Sequence, residues 1–185
     1  MKQNKYDDPH FFSAYENMPR SAKGGLEAAG EWYALKEMLP DLEDKHVLDL
    51  GCGFGWHCRY VRENGAASVT GVDISNKMLE KANRMTEDNA ITYIKLPIEE
   101  IDFEVEQFDL VFSSLAFHYI QNFDSLCEKV YKYLAPKGGN FVFSVEHPIF
   151  TARSEQDWYY DMEENPLHWP LDHYHSEGGS GIPHF

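Results

Sequence analysis

Apolar residues concentrate in five short runs, and longer stretches between them carry apolar residues at spacings of three and four. Short apolar runs indicate buried strands, and the periodic stretches indicate helices. The strand runs cover residues 47–50, 68–74, 91–96, 108–114 and 140–145. Strands and helices that alternate in this way predict an α/β fold with a doubly wound, mostly parallel sheet and right-handed crossovers.

The helical stretches have recognisable ends. Leu26–Leu39 carries apolar side chains at helical spacing, and Pro40 ends the pattern. A second helix is predicted over residues 55–64. Ser75 is placed to cap a third helix, and a fourth begins near residue 123.

The two ends of the chain differ from its centre. Residues 6–20 are polar and aromatic, which predicts an irregular arm or a short helix. From residue 149 onward, aromatic residues lie among acids and histidines without a clear period. The expected organisation is an arm and helix over 1–44 that cover a ligand site, a core over 45–148 and an irregular aromatic segment over 149–185.

The first strand leads directly into three glycines at alternate positions, Gly51, Gly53 and Gly55. Glycine permits a sharp turn and lets a ligand approach the backbone where a Cβ would collide. The helix that follows directs free N–H groups into the same space. This order of strand, glycine turn and helix predicts a nucleotide-type ligand site.

The spacing of the glycines bears on which ligand binds. A dinucleotide site would show G-x-G-x-x-G, but Trp56 occupies the place of the third glycine. Asp49 lies inside the first strand, where an acid would face an ammonium group or organise the loop that holds one, and would repel a pyrophosphate. Asp73 ends the second strand and can accept both hydroxyls of a ribose. NAD and S-adenosylmethionine (SAM) share that ribose, so Asp49 and the glycines discriminate between them.

At this point the sequence resembles the class I SAM-dependent methyltransferases, most closely their small-molecule branch. The resemblance implies a Rossmann-like fold, SAM as cofactor and methyl transfer to a small-molecule acceptor. It rests on stretches that occur in the family's order and spacing, over residues 47–55, 71–75, 108–111, 114–119 and 134–139.

The resemblance also implies roles for matching positions on the methionine side of SAM. Gly51, Cys52 and Gly53 would lie against the methionine moiety, and Asp49 would organise its amino group. Ser114 and Leu115, at the end of the fourth strand, would line the floor near the methionine.

On the nucleoside side, the resemblance implies that Asp73 holds the ribose and that Ile74 packs on the adenine. Ile98 would offer its backbone N–H to the adenine. Pro97 stands where many relatives have an acid for the adenine amino group. We also place Tyr15 among the cofactor-binding residues.

The family sheet usually ends with two further strands, and nothing after residue 150 has that pattern. The expectation is therefore a sheet shortened at its C-terminal end. An exposed edge at the fifth strand would invite pairing with a second chain, so a homodimer is among the expected partners.

Methyl transfer needs a general base only when the acceptor must lose a proton. His118 and His147 follow the fourth and fifth strands, at the sheet edge where ligands bind, and are the candidate catalytic residues. The alternative is that both only stabilise loops. Tyr15, Trp158 and Tyr159 are candidates for an aromatic lid, and plain packing explains them equally well.

Composition excludes several classes of function. The formal net charge of −15 would repel a phosphate backbone, so nucleic acid is not expected as a partner. No apolar run is long enough to cross a bilayer, and a cytoplasmic location is expected. Three cysteines without a C-x-x-C spacing indicate reduced thiols. No metal site is expected, because His168, His173 and His175 lie around a proline without preset geometry.

Three functions remain to be weighed. The first is an active SAM-dependent methyltransferase. The second is a SAM- or S-adenosylhomocysteine-binding protein, or a degenerate methyltransferase without turnover. The third, an NAD-dependent oxidoreductase, disagrees with Gly55 and Trp56.

Overall fold

The computed structural model describes residues 4–18, 21, 24–150, 152–153, 155 and 157–172. The chain divides into two compact units, Met1–Val145 and Glu146–Phe185. The N-terminal arm belongs to the same unit as the core. No helix among the described residues has the length and apolar character required to span a membrane.

Within those residues the first unit contains five α-helices and five strands. The helices are α1 (Pro9–Glu16), α2 (Trp32–Glu37), α3 (Trp56–Glu63), α4 (Asn76–Arg84) and α5 (Phe123–Tyr133). The strands are β1 (His46–Leu50), β2 (Ser68–Asp73), β3 (Ile91–Lys95), β4 (Leu110–Ser114) and β5 (Asn140–Ser144). Short 3-10 turns cover Lys5–Asp7, Gly25–Ala28, Ile98–Glu100 and Phe117–Tyr119.

The five strands form one parallel sheet in the order β3-β2-β1-β4-β5. The order reverses at β1, and the crevice beyond the carboxyl ends of the strands at such a point is where open α/β sheets bind ligands. The predicted Rossmann-like class is confirmed. The described residues add no sixth strand to this sheet.

Both faces of the sheet are covered. Residues Val47 and Phe112 belong to a core cluster with α2 and α3, whereas Leu48, Leu50 and α5 belong to a second cluster. Burial on both sides explains why the strands appear in the sequence as nearly continuous apolar runs.

Two predictions differ from the structure. The helix expected over Leu26–Leu39 is a 3-10 turn at Gly25–Ala28 followed by the shorter α2. Gly25 has a φ of +51°, and the exposed Gly30 separates the two pieces. Gly30 weakens a continuous helix at this point because glycine loses more backbone freedom on folding than other residues.

The segment expected to be irregular from residue 149 contains regular structure. In the second unit a 3-10 turn at Pro148–Phe150 precedes an antiparallel hairpin of β6 (Tyr159–Tyr160) and β7 (Pro166–His168). The indole N–H of Trp169 donates to the carbonyl of Ile149 at 2.9 Å.

Candidate active site

The glycine turn connects β1 to α3 and keeps its three glycines at positive φ, with values of +82° for Gly51, +51° for Gly53 and +69° for Gly55. The amide of Gly51 donates to the carbonyl of Val72 at 2.8 Å, which ties the turn to β2. A Cβ on Gly51 would lie 2.5 Å from the Cβ of Ala116, whereas a Cβ on Gly53 would meet nothing within 4 Å. The turn therefore packs tightly on one side and faces open space at Gly53.

Asp73 ends β2 directly beside this open space. Its Oδ2 accepts from the amide of Gly53 at 2.9 Å, and its Oδ1 accepts from the amide of Ser75 at 2.8 Å. Burial raises the pKa of the carboxyl, although these two hydrogen bonds oppose the shift. Each oxygen keeps acceptor capacity beyond its backbone partner, so the carboxylate can accept a pair of hydroxyls.

Asp49 is a buried carboxyl inside β1. The thiol of Cys58 donates to its Oδ2 at 3.1 Å, and no residue in the described part of the chain partners its Oδ1. Burial raises the pKa of Asp49 to about 7. An unpartnered buried carboxylate oxygen is costly, and a ligand cation or a water held by that ligand would satisfy it.

A partly open cleft lies over the glycine turn. The described residues that line it are Tyr15, Gly25, Leu26, Ala29, Gly51, Cys52, Gly53, Phe54, Trp56, His57 and Ser114.

The N-terminal arm packs against the glycine turn and the start of α4. Asp7 accepts from the Ser75 hydroxyl at 2.6 Å and from the Lys77 amide at 3.1 Å, so it caps α4. The ring of Tyr15 meets Phe54 edge-on with centroids 5.6 Å apart. The arm thus contributes Tyr15 to the cleft.

The carboxyl end of β4 approaches the glycine turn from the other side. Leu115 has a φ of +51°, which a non-glycine residue rarely adopts, and its amide donates to the Ser144 carbonyl at 3.0 Å. The Ile98 side chain would contact a Cβ on Gly51 at 3.7 Å. Residues from β2, β4 and the turn after β3 therefore converge on one place.

Most predicted cofactor residues are brought together here. The cleft lining contains Tyr15, Gly51, Cys52, Gly53 and Ser114. Asp73 accepts from the amide of Gly53, and the Ile98 side chain approaches Gly51. Asp49 lies two residues before Gly51, and Leu115 directly follows Ser114. Ile74 follows Asp73 and is half-buried, and its carbonyl accepts from the Asn4 side chain at 3.5 Å.

The two predicted bases occupy different places. His118 lies in the 3-10 turn after β4, outside the described lining of the cleft, and its ring contacts that of Tyr119 at an angle of 51° with centroids 4.2 Å apart. His147 belongs to the second unit, where its Nδ1 accepts from the Ile149 amide at 3.3 Å. The base role of each stays a prediction. Of the histidines considered for a metal, His168 lies in β7, and His173 and His175 lie outside the described residues.

Sequence reasoning missed several residues that line the cleft. In the sequence, Trp56 serves only as an argument against a dinucleotide site, and His57 belongs only to the helix predicted after the turn. The His57 ring packs between Trp32 and Phe112, with centroids 5.3 Å and 4.9 Å away. The position of both residues in the first turn of α3, next to the glycines, was the signal that could have identified them.

The residues present fit SAM. The open space at Gly53 would admit a ligand, Asp73 offers acceptors for two ribose hydroxyls, and Asp49 has an unpartnered acceptor for the polar methionine end. When bound, SAM supplies a methyl group on a positively charged sulfur.

Comparisons with known proteins agree with this site. The sequence profile of the methyltransferase-domain family matches residues 48–143. A crystal structure from Listeria monocytogenes assigned to the SAM-dependent methyltransferases is 54% identical with a TM-score of 0.76, over 83% of this chain and 68% of that chain. A SAM-dependent methyltransferase structure from Mesorhizobium loti is 44% identical with a TM-score of 0.75, over 83% of this chain and 69% of that chain.

A curated relative adds a named reaction. The malonyl-[acyl-carrier protein] O-methyltransferase of Enterobacter lignolyticus is 36% identical over 81% of this chain and 54% of its own length. This chain thus spans about half of that relative. Together, the fold, the glycine turn and these matches show that the chain belongs to the class I SAM-dependent methyltransferases, with SAM as cofactor.

Proposed function

We propose that the protein transfers the methyl group of SAM to a small-molecule acceptor by in-line displacement. The observation that carries this proposal is the hydrogen bond of 2.9 Å from the amide of Gly53 to Oδ2 of Asp73, on the open side of the glycine turn. In this proposal the Asp73 carboxylate binds the ribose, and it lies beside a glycine at which an added Cβ would meet nothing within 4 Å. The net charge of −15 supports a small molecule rather than a nucleic acid as acceptor.

In this proposal the cofactor residues divide by the part of SAM they hold. Asp73 binds the ribose, Ile74 packs on the adenine and the Ile98 amide donates to an adenine nitrogen. On the other side of the turn, the methionine moiety lies along Gly51, Cys52, Gly53, Ser114 and Leu115, with Asp49 organising its amino group. Tyr15 covers the cofactor from the arm.

Positioning is the main contribution of these residues to the rate. Methyl transfer from a sulfonium requires the acceptor atom to lie in line with the breaking bond, and good orientation contributes roughly 7–11 kcal/mol. Tyr15 and Leu26 line the cleft and would help to exclude water once SAM and the acceptor are bound. A base is needed only for acceptors that carry a proton, and His118 or His147 would supply it.

A test of turnover distinguishes this function from binding alone. Purified protein is incubated with SAM and a panel of small molecules, and S-adenosylhomocysteine is measured by mass spectrometry. Acceptor-dependent formation of S-adenosylhomocysteine is expected. SAM binding without turnover across a broad panel would favour a binding protein instead.

We also propose that two chains pair through the edge of β5. Light scattering on the same protein measures the oligomeric state.

A further inference from the structure

Three polar side chains form a line across the carboxyl ends of β4 and β5. Ser114 and Ser144 are register partners at the ends of these strands. The Ser144 hydroxyl donates to the Ser114 Oγ at 3.4 Å, and the Ser114 hydroxyl donates to Oε1 of Glu31 at 3.5 Å. Because Ser114 also lines the cleft, this line extends from the candidate methionine site toward Glu31.

Glu31 is held in place by the packing of α2. It immediately precedes Trp32, which is 2% exposed and packs edge-on against Tyr60 with centroids 4.7 Å apart. The Glu31 carbonyl accepts from the amide of Leu35 at 3.0 Å. Ala29, two residues earlier, lines the cleft. The packing of α2 therefore fixes the backbone of Glu31, and its carboxylate lies beside the cleft-lining Ser114.

The contacts along this line are longer than ordinary hydroxyl hydrogen bonds. Oxygen-to-oxygen distances of 3.4 and 3.5 Å compare with a usual value of about 2.7–2.8 Å. Such contacts are weak, so N–H groups of a ligand can replace them at little cost.

We propose that Glu31, together with Ser114 and Ser144, binds the methyl acceptor, and that this acceptor is an amine. The proposal deepens the function given above and rests on it. An alkylammonium ion would donate to the carboxylate and to the serine oxygens, all of which can accept.

The charge movement of the reaction favours this chemistry. The amine reacts in its neutral form, after the ammonium ion has released one proton to the solvent. The nitrogen lone pair then forms the N–CH₃ bond while the S–CH₃ bond breaks and leaves its electron pair on sulfur. Positive charge therefore moves from sulfur to nitrogen, and a fixed carboxylate beside the nitrogen stabilises the transition state more than the ground state.

Other classes of methyl acceptor fit Glu31, Ser114 and Ser144 less well. A carboxylate acceptor would be repelled by Glu31. An amine gains from the same carboxylate because positive charge develops on its nitrogen during methyl transfer.

The test uses three probes of similar size that differ in charge: benzylamine, benzyl alcohol and benzoate. Their aromatic ring suits a cleft that includes Tyr15 and Phe54. Binding to the protein, with and without S-adenosylhomocysteine, is measured by calorimetry at pH 7.5. The variants are Glu31→Gln, which keeps an acceptor for Ser114, and Ser144→Ala; the control Glu27→Gln removes one charge from an exposed position nearby.

We expect benzylamine to bind at least about tenfold more tightly than benzyl alcohol, with no binding of benzoate. Glu31→Gln should abolish this preference, Ser144→Ala should reduce it and Glu27→Gln should retain it. The affinity for S-adenosylhomocysteine should stay within about twofold of wild type in all three variants.

Equal binding of benzyl alcohol or benzoate, no measurable amine binding, or a preference that survives in Glu31→Gln would each overturn the amine site. If S-adenosylhomocysteine does not bind while Glu31→Gln still abolishes the amine preference, the amine site stands and the methyltransferase function fails. The two proposals are thus distinguished in one set of titrations.

Discussion

The amide of Gly53 donates to Oδ2 of Asp73 at 2.9 Å and so joins the glycine turn after β1 to the end of β2. The same carboxylate is the candidate ribose ligand. Together with the bond from the Gly51 amide to the Val72 carbonyl, this hydrogen bond holds the part of the site that would bind the methionine against the part that would bind the ribose.

Asp73→Ala should weaken S-adenosylhomocysteine binding by about a hundredfold, because hydrogen bonds to a charged group contribute about 1.5–3 kcal/mol each. Calorimetry measures the affinity. The control Glu87→Gln removes one negative charge from an exposed position outside the cleft lining. It should bind S-adenosylhomocysteine normally. Equal affinity in Asp73→Ala would show that the ribose is held elsewhere.

Alanine substitutions at two glycines of the turn should affect folding stability and ligand binding differently. Gly51→Ala places a Cβ 2.5 Å from Ala116 and should lower the free energy of unfolding by clearly more than the ~1–2 kcal/mol of backbone strain. Gly53→Ala meets no protein atom within 4 Å, so it should cost only that strain yet impair S-adenosylhomocysteine binding.

Gly138→Ala is the matched control for this pair, since Gly138 has a φ of +93° and open space around it. It should show strain alone and bind the ligand normally. Denaturant unfolding and calorimetry on the three variants provide both readouts. Normal ligand binding by Gly53→Ala would argue against a ligand at that position.

Asp49 should make stability depend on pH. Its pKa in the folded protein is raised to about 7 by burial, so the folded state binds the proton more tightly than the unfolded state does. The associated stability is fully present below the unfolded pKa near 3.8 and is lost as the pH rises to about 7.

Between pH 5 and pH 8 the wild-type free energy of unfolding should therefore fall by about 2–3 kcal/mol more than that of Asp49→Asn. Denaturant titrations of both proteins at the two pH values measure this difference. Parallel behaviour of the two proteins would mean that Asp49 is ionised at both pH values in the folded state.

The arm should contribute through its cap on α4. Asp7→Ala removes the acceptor for Ser75 and Lys77, and loss of such a cap costs about 1 kcal/mol. Because the arm also carries Tyr15 to the cleft, S-adenosylhomocysteine affinity should fall roughly fivefold. Asp7→Asn retains a capping oxygen and should behave closer to wild type in both measurements. Unchanged affinity in Asp7→Ala would show that the arm does not contribute to ligand binding.

Local sequence patterns predicted the sheet because burial on both faces leaves an uninterrupted apolar signal. β1, β2, β3 and β5 begin and end within one residue of their predicted bounds. The glycine spacing and the two strand acids likewise pointed to the cleft, since all three are local features at the ends of neighbouring strands.

What local patterns could not provide were contacts between distant parts of the chain. Glu31 and Ser114 are 83 residues apart, and their contact depends on how α2 packs on the sheet. The turn of the β6–β7 hairpin was readable in principle: Asp161 accepts from the amides of Glu163 and Asn165 at 2.9 Å, a capping pattern typical of aspartate in turns.

Titration of the wild-type protein with S-adenosylhomocysteine, followed by calorimetry, tests the central claim most directly. One molecule should bind per chain, NAD should not bind, and Asp73→Ala should lose most of the affinity. Absence of binding by both S-adenosylhomocysteine and SAM to the folded protein would contradict the assignment of this cleft as a methyl-donor site.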